Sequence, residues 1–225
     1  MRMKMPTINN SLLRNTSLII IVLFVIACGS NAKKVYWDSG KLQSEVHYEE
    51  GEMHGPAIWY YENGNIQQEL NYINGIIDGE MKRYYSNGNL ESVSYYKNGL
   101  LDGQALTYNR EGVLVGEENF SNDTLNGAVN KYYPDGKPQM TGSYKNGKFQ
   151  GAWIYYDVYG NVVGSANYNE GTGTLKAWWQ NGNIKREVNY KNNLKNGAEK
   201  SFDSEGKLIE VLYFEDGVKL VDKNQ

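Results

Sequence analysis

Short segments of alternating apolar and polar residues recur along most of the chain. In the segment that begins at Ile66, the apolar residues Ile66, Leu70 and Tyr72 fall on one side of an extended backbone, with polar residues between them. A period of two residues is the signal of a β-strand with one buried face. The segment that begins at Ile184 repeats this order, and the pattern therefore predicts strands rather than helices.

Glycines mark the ends of these segments at a regular interval. They recur every 24 residues, with a single interval of 22, at Gly40, Gly64, Gly88, Gly112, Gly136, Gly160, Gly182 and Gly206. An aromatic residue stands four positions before each glycine, and another stands eight positions after it, as Tyr60 and Tyr72 do around Gly64. Self-similarity at a fixed period indicates a repeat architecture, here of eight copies.

The residue before each glycine varies and includes Glu111 and Tyr159, both of which resist positive φ. Only the glycine behaves as if it needs that conformation. We therefore predict a type I turn followed by glycine in a G1 bulge, instead of a two-residue loop. This register pairs Tyr60 with Ile66 and predicts that both lie on the face of Leu70 and Tyr72.

A second turn closes each copy, with Asn74-Gly75 as an example. Asn122-Asp123 and Asn192-Asn193 replace it in two copies, and both pairs tolerate left-handed backbone. The sixth copy is two residues short near Gly171, where we expect a bend or twist. The predicted fold is all-β: an elongated, open, twisted, single-layer antiparallel meander of about eight hairpins, in which each hairpin buries aromatic rows against the next.

The first residues have a different composition. Residues 1–27 carry three basic and no acidic side chains, and ten apolar residues run from Leu18 to Ala27, which is too short to span a bilayer. The sequence that ends at Cys28 resembles the lipobox of bacterial lipoproteins. We therefore predict a lipoprotein signal peptide (1–27), a lipid such as palmitate on Cys28, a tether (28–34), a repeat domain (35–220) and a tail (221–225). An ordinary cleaved signal or a buried apolar segment is the alternative.

Without residues 1–27 the chain has 20 basic and 26 acidic side chains, a net charge of −6. Nucleic-acid binding is not expected, because neutralising phosphates requires clustered Lys and Arg. Catalytic residues, cofactors and metal ligands are not predicted either. His47 and His54 are the only histidines, and metal sites generally need three or four convergent ligands. An enzyme with an unrecognised site is the alternative to a non-enzyme.

Aromatic residues among polar groups suggest a recognition surface on the second face of the sheet. The candidates for partner binding are Trp37, Trp59, Tyr61, Tyr85, Tyr133 and Trp179. The alternative is that these rings only cover the sheet and stiffen cross-strand pairs.

The pattern Tyr-Tyr-x-Asn-Gly-x-Leu, followed by an aromatic residue, Asn-Gly and Gly, resembles the MORN-repeat variant of bacterial proteins, and it covers nearly all of the chain after residue 35. Similar arrays with a lipoprotein signal are grouped with YwqK-type antitoxin-like proteins. The resemblance implies an open β-sheet that binds another protein, with a toxin as one such partner. The expected location is the bacterial cell envelope, on the periplasmic or surface side. A structural or carbohydrate-contacting scaffold is the alternative function.

Overall fold

The computed structural model describes residues 31–220, and these residues form a single antiparallel sheet of 20 strands. Each strand pairs with its neighbours along the chain or, across an intervening two-residue strand, with the next one, so the sheet is an open meander and the predicted fold class is confirmed. Within this range no helix has the length and apolar character needed to cross a bilayer. The predicted signal peptide, Cys28 and the tail 221–225 lie outside the described residues.

The strands are β1 (Asn31–Tyr36), β2 (Leu42–Glu49), β3 (Glu52–Tyr60), β4 (Ile66–Ile73), β5 (Ile76–Ile77), β6 (Gly79–Tyr84), β7 (Leu90–Lys97), β8 (Leu100–Leu101), β9 (Gly103–Tyr108), β10 (Leu114–Ser121), β11 (Thr124–Leu125), β12 (Gly127–Tyr132), β13 (Pro138–Lys145), β14 (Lys148–Tyr156), β15 (Val162–Asn169), β16 (Thr172–Trp178), β17 (Ile184–Lys191), β18 (Leu194–Phe202), β19 (Leu208–Glu215) and β20 (Val218–Lys219). The first described strand includes Asn31. Residues 31–34, which the sequence pattern assigns to a tether, therefore belong to the first strand.

The turns that contain the periodic glycines have the predicted geometry. The Gly64 N–H donates to the Tyr61 carbonyl at 2.9 Å, and the Tyr61 N–H donates to the Asn65 carbonyl at 2.8 Å. Gly64 has a φ of 95°, whereas the residue before it is not left-handed. These eight turns lie along one edge of the sheet, which we call the first-turn edge and number one to eight by copy. The G1-bulge prediction is confirmed.

The predicted pairing of Tyr60 with Ile66 is also confirmed, but the predicted face is wrong. The register skips Gln67, so the next pair is Trp59 with Gln68. This bulge places Trp59, and not Tyr60, on the face of Leu70 and Tyr72. The next copy agrees, because Tyr84 bonds Glu69, the neighbour of Leu70, at 2.8 Å on the opposite face.

The second turns line the other edge, which we call the second-turn edge. Asn74 and Gly75 have φ values of 50° and 76°, as a two-residue type I′ loop requires. Asn192 and Asn193 adopt the same conformation at 51° and 66°, which confirms that this replacement is tolerated. Consecutive second turns are joined by backbone bonds, for example from the Gly75 N–H to the Met53 carbonyl at 2.8 Å.

The shortened sixth copy does not interrupt the ladder. Strands β15 and β16 pair in continuous register, whereas β13 and β14 are interrupted by an irregularity. The two missing residues therefore remove a bulge and leave a more regular strand pair, and the expected bend or twist stays a prediction. Asn193 bridges this region, because its side chain donates to the Gly147 carbonyl at 2.7 Å and accepts from the Phe149 N–H at 2.8 Å.

Seven of the buried apolar residues form two clusters on one face of the sheet. The first contains Val46, Ala57 and Leu70, and the second contains Val129, Trp153, Ala166 and Tyr168. The first cluster comes from the consecutive strands β2, β3 and β4 in register, and the second from β12, β14 and β15. Burial between adjacent copies therefore stabilises the array, as expected for a repeat protein.

Candidate recognition surface

Aromatic side chains connect consecutive turns of the first-turn edge. The Tyr61 hydroxyl donates to the Tyr84 carbonyl, 23 residues away, at 2.7 Å. The equivalent bonds run from Tyr85 to Tyr108 at 2.8 Å, from Tyr133 to Tyr156 at 2.8 Å and from Trp179 Nε1 to Phe202 at 3.1 Å. Four of the six predicted binding residues thus use their polar atoms to join copies.

Asparagines reinforce these connections. The side chains of Asn63 and Asn65 both donate to the Ser86 carbonyl, at 2.7 and 2.9 Å. The Lys137 ammonium donates to the Val158 carbonyl at 3.2 Å in the same direction along the array. The first-turn edge is therefore a ladder in which each bond points from one copy to the next.

Three copies carry a short polar residue where the others carry the connecting ring: Asn109, Asp157 and Asp203. These side chains cap their own turns. Oδ1 of Asp157 accepts from the N–H groups of Tyr159 and Asn161, both at 2.9 Å, and Oδ2 accepts from the Asn161 side chain at 3.0 Å. The bond from the Asn161 side chain, followed by bonds from backbone N–H groups, lowers the pKa of Asp157.

An open depression of about 660 Å³ lies beside Asp157, between turns six and seven. Val162, Trp178, Trp179 and Gln180 contribute to its walls. It lies where a ring at position 157 would reach toward turn seven. The missing ring therefore leaves a slot, which we call the turn-six slot and define by Asp157, Asn161, Val162, Trp178, Trp179 and Gln180.

The other two predicted binding residues are Trp59 and Trp37. Trp59 packs against the buried cluster of Val46, Ala57 and Leu70, so it lies on the core face and not on a separate one. The Nε1 atom of Trp37 is buried and has no hydrogen-bond partner among residues 31–220. The aromatic side chains three positions before the periodic glycines form what we call the ring row: Trp37, Tyr61, Tyr85, Tyr133 and Trp179. Trp37 occupies its first position without making the bond that Trp179 makes.

The centre of the sheet holds an aromatic cluster around Trp153, which is 2% exposed. Its ring lies 5.2 Å from Tyr144, 4.8 Å from Phe149 and 6.2 Å from Tyr168, all near edge-to-face. Burial raises the pKa of Tyr155 to about 12 and raises the pKa of Tyr168 further. Both phenols are therefore packed into this cluster.

A charged cluster closes the C-terminal part of the same face. Glu199 is 5% exposed and bonds Arg186 and Lys195, the latter at 2.7 Å. Burial alone would raise the pKa of Glu199, but the bonds from Lys195 and Arg186 together lower it. The carboxylate is thus fully paired, which is the arrangement of a structural ion cluster.

Other titratable side chains form small local contacts, such as that of His54 Nε2 with Glu49 Oε2 at 3.5 Å. His47 Nδ1 lies 2.8 Å from the Pro56 carbonyl, and His54 Nδ1 lies 3.1 Å from Asn74 Oδ1. Residues 31–220 contain no group of three or more His, Cys, Asp and Glu side chains placed to hold a metal ion. Among these residues, the first-turn edge, with its bonds between copies and its open depression, is the best-developed candidate site.

The sequence identified the ring row but not the turn-six slot. The available signal was Asp157 itself, because Asp at the first position of a type I turn folds back on its own backbone. A ring position occupied by such a residue leaves space beside the next copy.

No curated protein matches the sequence. The solved complexes TcdB2-TccC3-Cdc42 and TcdB2-TccC3-TEV are 11% and 12% identical to it, with TM-scores of 0.18 and 0.15. The matches cover 82% of this chain and only 16% and 15% of the solved chains, and they support no conclusion on fold or function.

A family model described as "MORN repeat variant" matches residues 32–50, 53–74, 77–98, 125–146, 172–192 and 195–217. The matched segments follow the hairpins of the sheet and cover more than half of the chain. The match concerns the repeat alone and bears on neither the antitoxin-like grouping nor the lipoprotein signal. The chain therefore belongs to the MORN repeat variant family.

Proposed function

We propose that this protein is a non-catalytic binding module that recognises another protein along its first-turn edge. Repeats of this family are non-catalytic and in general bind proteins or membranes.

The observation that carries the proposal is the fixed ring row. The rings of Tyr61, Tyr85, Tyr133 and Trp179 are held by bonds to the next copy, so little side-chain freedom remains to be lost when a partner binds. Rigid aromatic side chains of this kind supply much of the binding energy in protein interfaces.

An exposed apolar patch adjoins the row at turn six. Val158, Tyr159 and Val162 are 50%, 78% and 53% exposed, and the last of them lines the turn-six slot. Contiguous exposed apolar surface on a soluble domain marks interaction sites. Lys185 lies 4.4 Å over the Trp179 ring and adds a positive charge to this surface.

The proposed setting is the bacterial envelope, with the chain held at a membrane by lipid on Cys28. This part rests on the apolar run and lipobox-like sequence of residues 18–29. A toxin is the partner class that the antitoxin-like resemblance suggests, and co-expression with candidate toxins would test it separately.

Capture of partners from envelope fractions tests the proposed binding role. We expect the full chain to capture a protein. Tyr159→Ala with Val162→Ala should reduce capture at least ten-fold, because it removes apolar contact surface from the interface. Both side chains are exposed, so we expect the double variant to keep the fold. The matched control is Ile76→Ala with Leu100→Ala, two exposed apolar residues in the second-turn region that are 49% and 40% exposed. Equal loss in both pairs, or capture of polysaccharide instead of protein, would contradict the proposal.

A further inference from the structure

The ladder of the first-turn edge is interrupted between turns six and seven. Among residues 31–220, no side chain of turn six donates to turn seven, whereas turn seven donates to turn eight through Trp179, Asn181 and Asn183. Asp157 and Asn161 occupy the corresponding positions in turn six, but they bond each other. Turn seven is therefore left without the donors that its neighbours receive.

In turn seven, the acceptor that lacks a side-chain donor is the carbonyl of Trp178. The equivalent carbonyls, which belong to Tyr84, Tyr108, Tyr156 and Phe202, each accept one bond from a ring of the preceding copy. Three of these four donors are tyrosine hydroxyls. The molecule thus shows repeatedly which chemical group fits this position.

We propose that the turn-six slot receives a tyrosine side chain from the partner protein, whose hydroxyl donates to the Trp178 carbonyl. The inference rests on the proposed protein-binding function and names the anchor residue of that interface. The bound ring would take the place that Tyr133 takes one copy earlier, with its face against the walls formed by Val162, Trp178 and Trp179.

The charges of the slot agree with a neutral donor. The pKa of Asp157 is lowered by Asn161 and by backbone N–H groups, so its carboxylate is ionised and disfavours acidic ligands. Phenylalanine fits the space but leaves the carbonyl unsatisfied, and an unsatisfied acceptor is costly once water is excluded. Tyrosine offers the ring and the donor together, and its hydroxyl is neutral.

Turn four offers a weaker version of the same feature. Asn109 also caps its own turn, with Oδ1 accepting from Val113 N–H at 2.9 Å. The neighbouring depression is only about 250 Å³ and is lined by Thr107, Val115 and Lys131 without a tryptophan. The aromatic walls and the larger volume therefore assign the anchor to turn six.

The test uses the full chain and two small probes, N-acetyl-tyrosinamide and N-acetyl-phenylalaninamide. We expect the tyrosine amide to shift the indole N–H signals of Trp178 and Trp179 in NMR spectra and to bind about five-fold more tightly than the phenylalanine amide, as one neutral hydrogen bond implies. Equal affinities, or shifts confined to other tryptophans, would overturn the proposal.

Asp157→Tyr provides the decisive variant, because it supplies the missing ring from within the chain. We expect it to fold and to lose at least ten-fold in affinity for the tyrosine amide. Asn109→Tyr is the matched control, which fills the space beside turn four and leaves the affinity unchanged. Undiminished binding of the tyrosine amide by Asp157→Tyr would overturn the proposal that the amide binds in the turn-six slot. Failure to capture any protein would instead overturn the proposed function, and the amide affinities would be unaffected, so the two failures are distinguishable.

Discussion

Gly142 provides a sharp test of the aromatic core, because its missing side chain makes room for Trp153. A Cβ atom added at Gly142 would lie 2.6 Å from both Cε2 and Cε3 of Trp153 and would also collide with Cδ2. The ring cannot move aside easily, since Tyr144 and Phe149 contact it at 5.2 and 4.8 Å. Overpacking of this kind costs about 1–3 kcal/mol, and each disturbed aromatic pair adds about 0.5–1.5 kcal/mol.

We therefore expect Gly142→Ala to lower the free energy of unfolding by about 3 kcal/mol. That loss corresponds to a fall in Tm of about 6–12 °C for a domain of this size. Urea denaturation followed by tryptophan fluorescence measures it, and near-UV circular dichroism reports whether the Trp153 environment changes. An unchanged m-value would locate the loss in the folded state.

Gly116→Ala is the matched control, because a Cβ there would meet Thr107 Cβ at an ordinary 3.7 Å. Neither glycine is left-handed, so backbone strain does not differ between them. We expect the control to change stability by less than about 0.5 kcal/mol. Adding Trp153→Phe to Gly142→Ala should cost less than the sum of the single changes, since the smaller ring relieves the clash. Equal stabilities of the two alanine variants would refute this account of the core.

Three further predictions concern other parts of the chain. Tyr133→Phe should lower the free energy of unfolding by about 1 kcal/mol in urea titrations, because it removes the hydroxyl bond to the Tyr156 carbonyl. Tyr159→Phe, at an exposed ring, is the control and should leave the free energy of unfolding unchanged. The pKa of Glu199 is lowered in the folded state, so its contribution to stability is present above the usual value of 4.5 and is lost as the pH falls through the folded pKa. Glu199→Gln should therefore lose less stability than the unchanged chain below pH 4.5. Parallel curves of unfolding free energy against pH for the two proteins would count against the ion cluster. Cys28→Ser should abolish incorporation of a palmitate analogue in the native host and release the chain from membranes, and unchanged labelling would exclude this cysteine as the lipid site.

The turns could be predicted from the sequence because their requirements are local. A glycine that is kept while its neighbour changes to Glu111 or Tyr159 indicates a single left-handed position, and the structure has this geometry. The face of Tyr60 could not be predicted in the same way. The bulge at Gln67 reverses it, and no distinctive residue marks that bulge.

The candidate recognition surface was only partly predictable. The sequence pattern marks the ring positions, but the hydrogen-bond partners of their polar atoms are carbonyls of the next copy, as for Tyr61 and Tyr84. Trp59 was assigned to the wrong face because the same bulge shifts its register. The turn-six slot depends on both effects, since Asp157 folds back locally while Trp178 offers its carbonyl from 21 residues further along.

Because nearly every described bond between copies joins immediate neighbours, the chain could gain or lose a whole hairpin unit and still find each remaining contact in place. Gly147 and Asn193 are the exception, since the Asn193 amide reaches a carbonyl 46 residues earlier, across an intervening unit. Excision of the hairpin unit between Gly147 and Asn193 would separate the Asn193 side-chain amide from its acceptor, the Gly147 carbonyl. Variation in repeat number within this lineage should therefore be common toward the ends of the array and rare between residues 147 and 193.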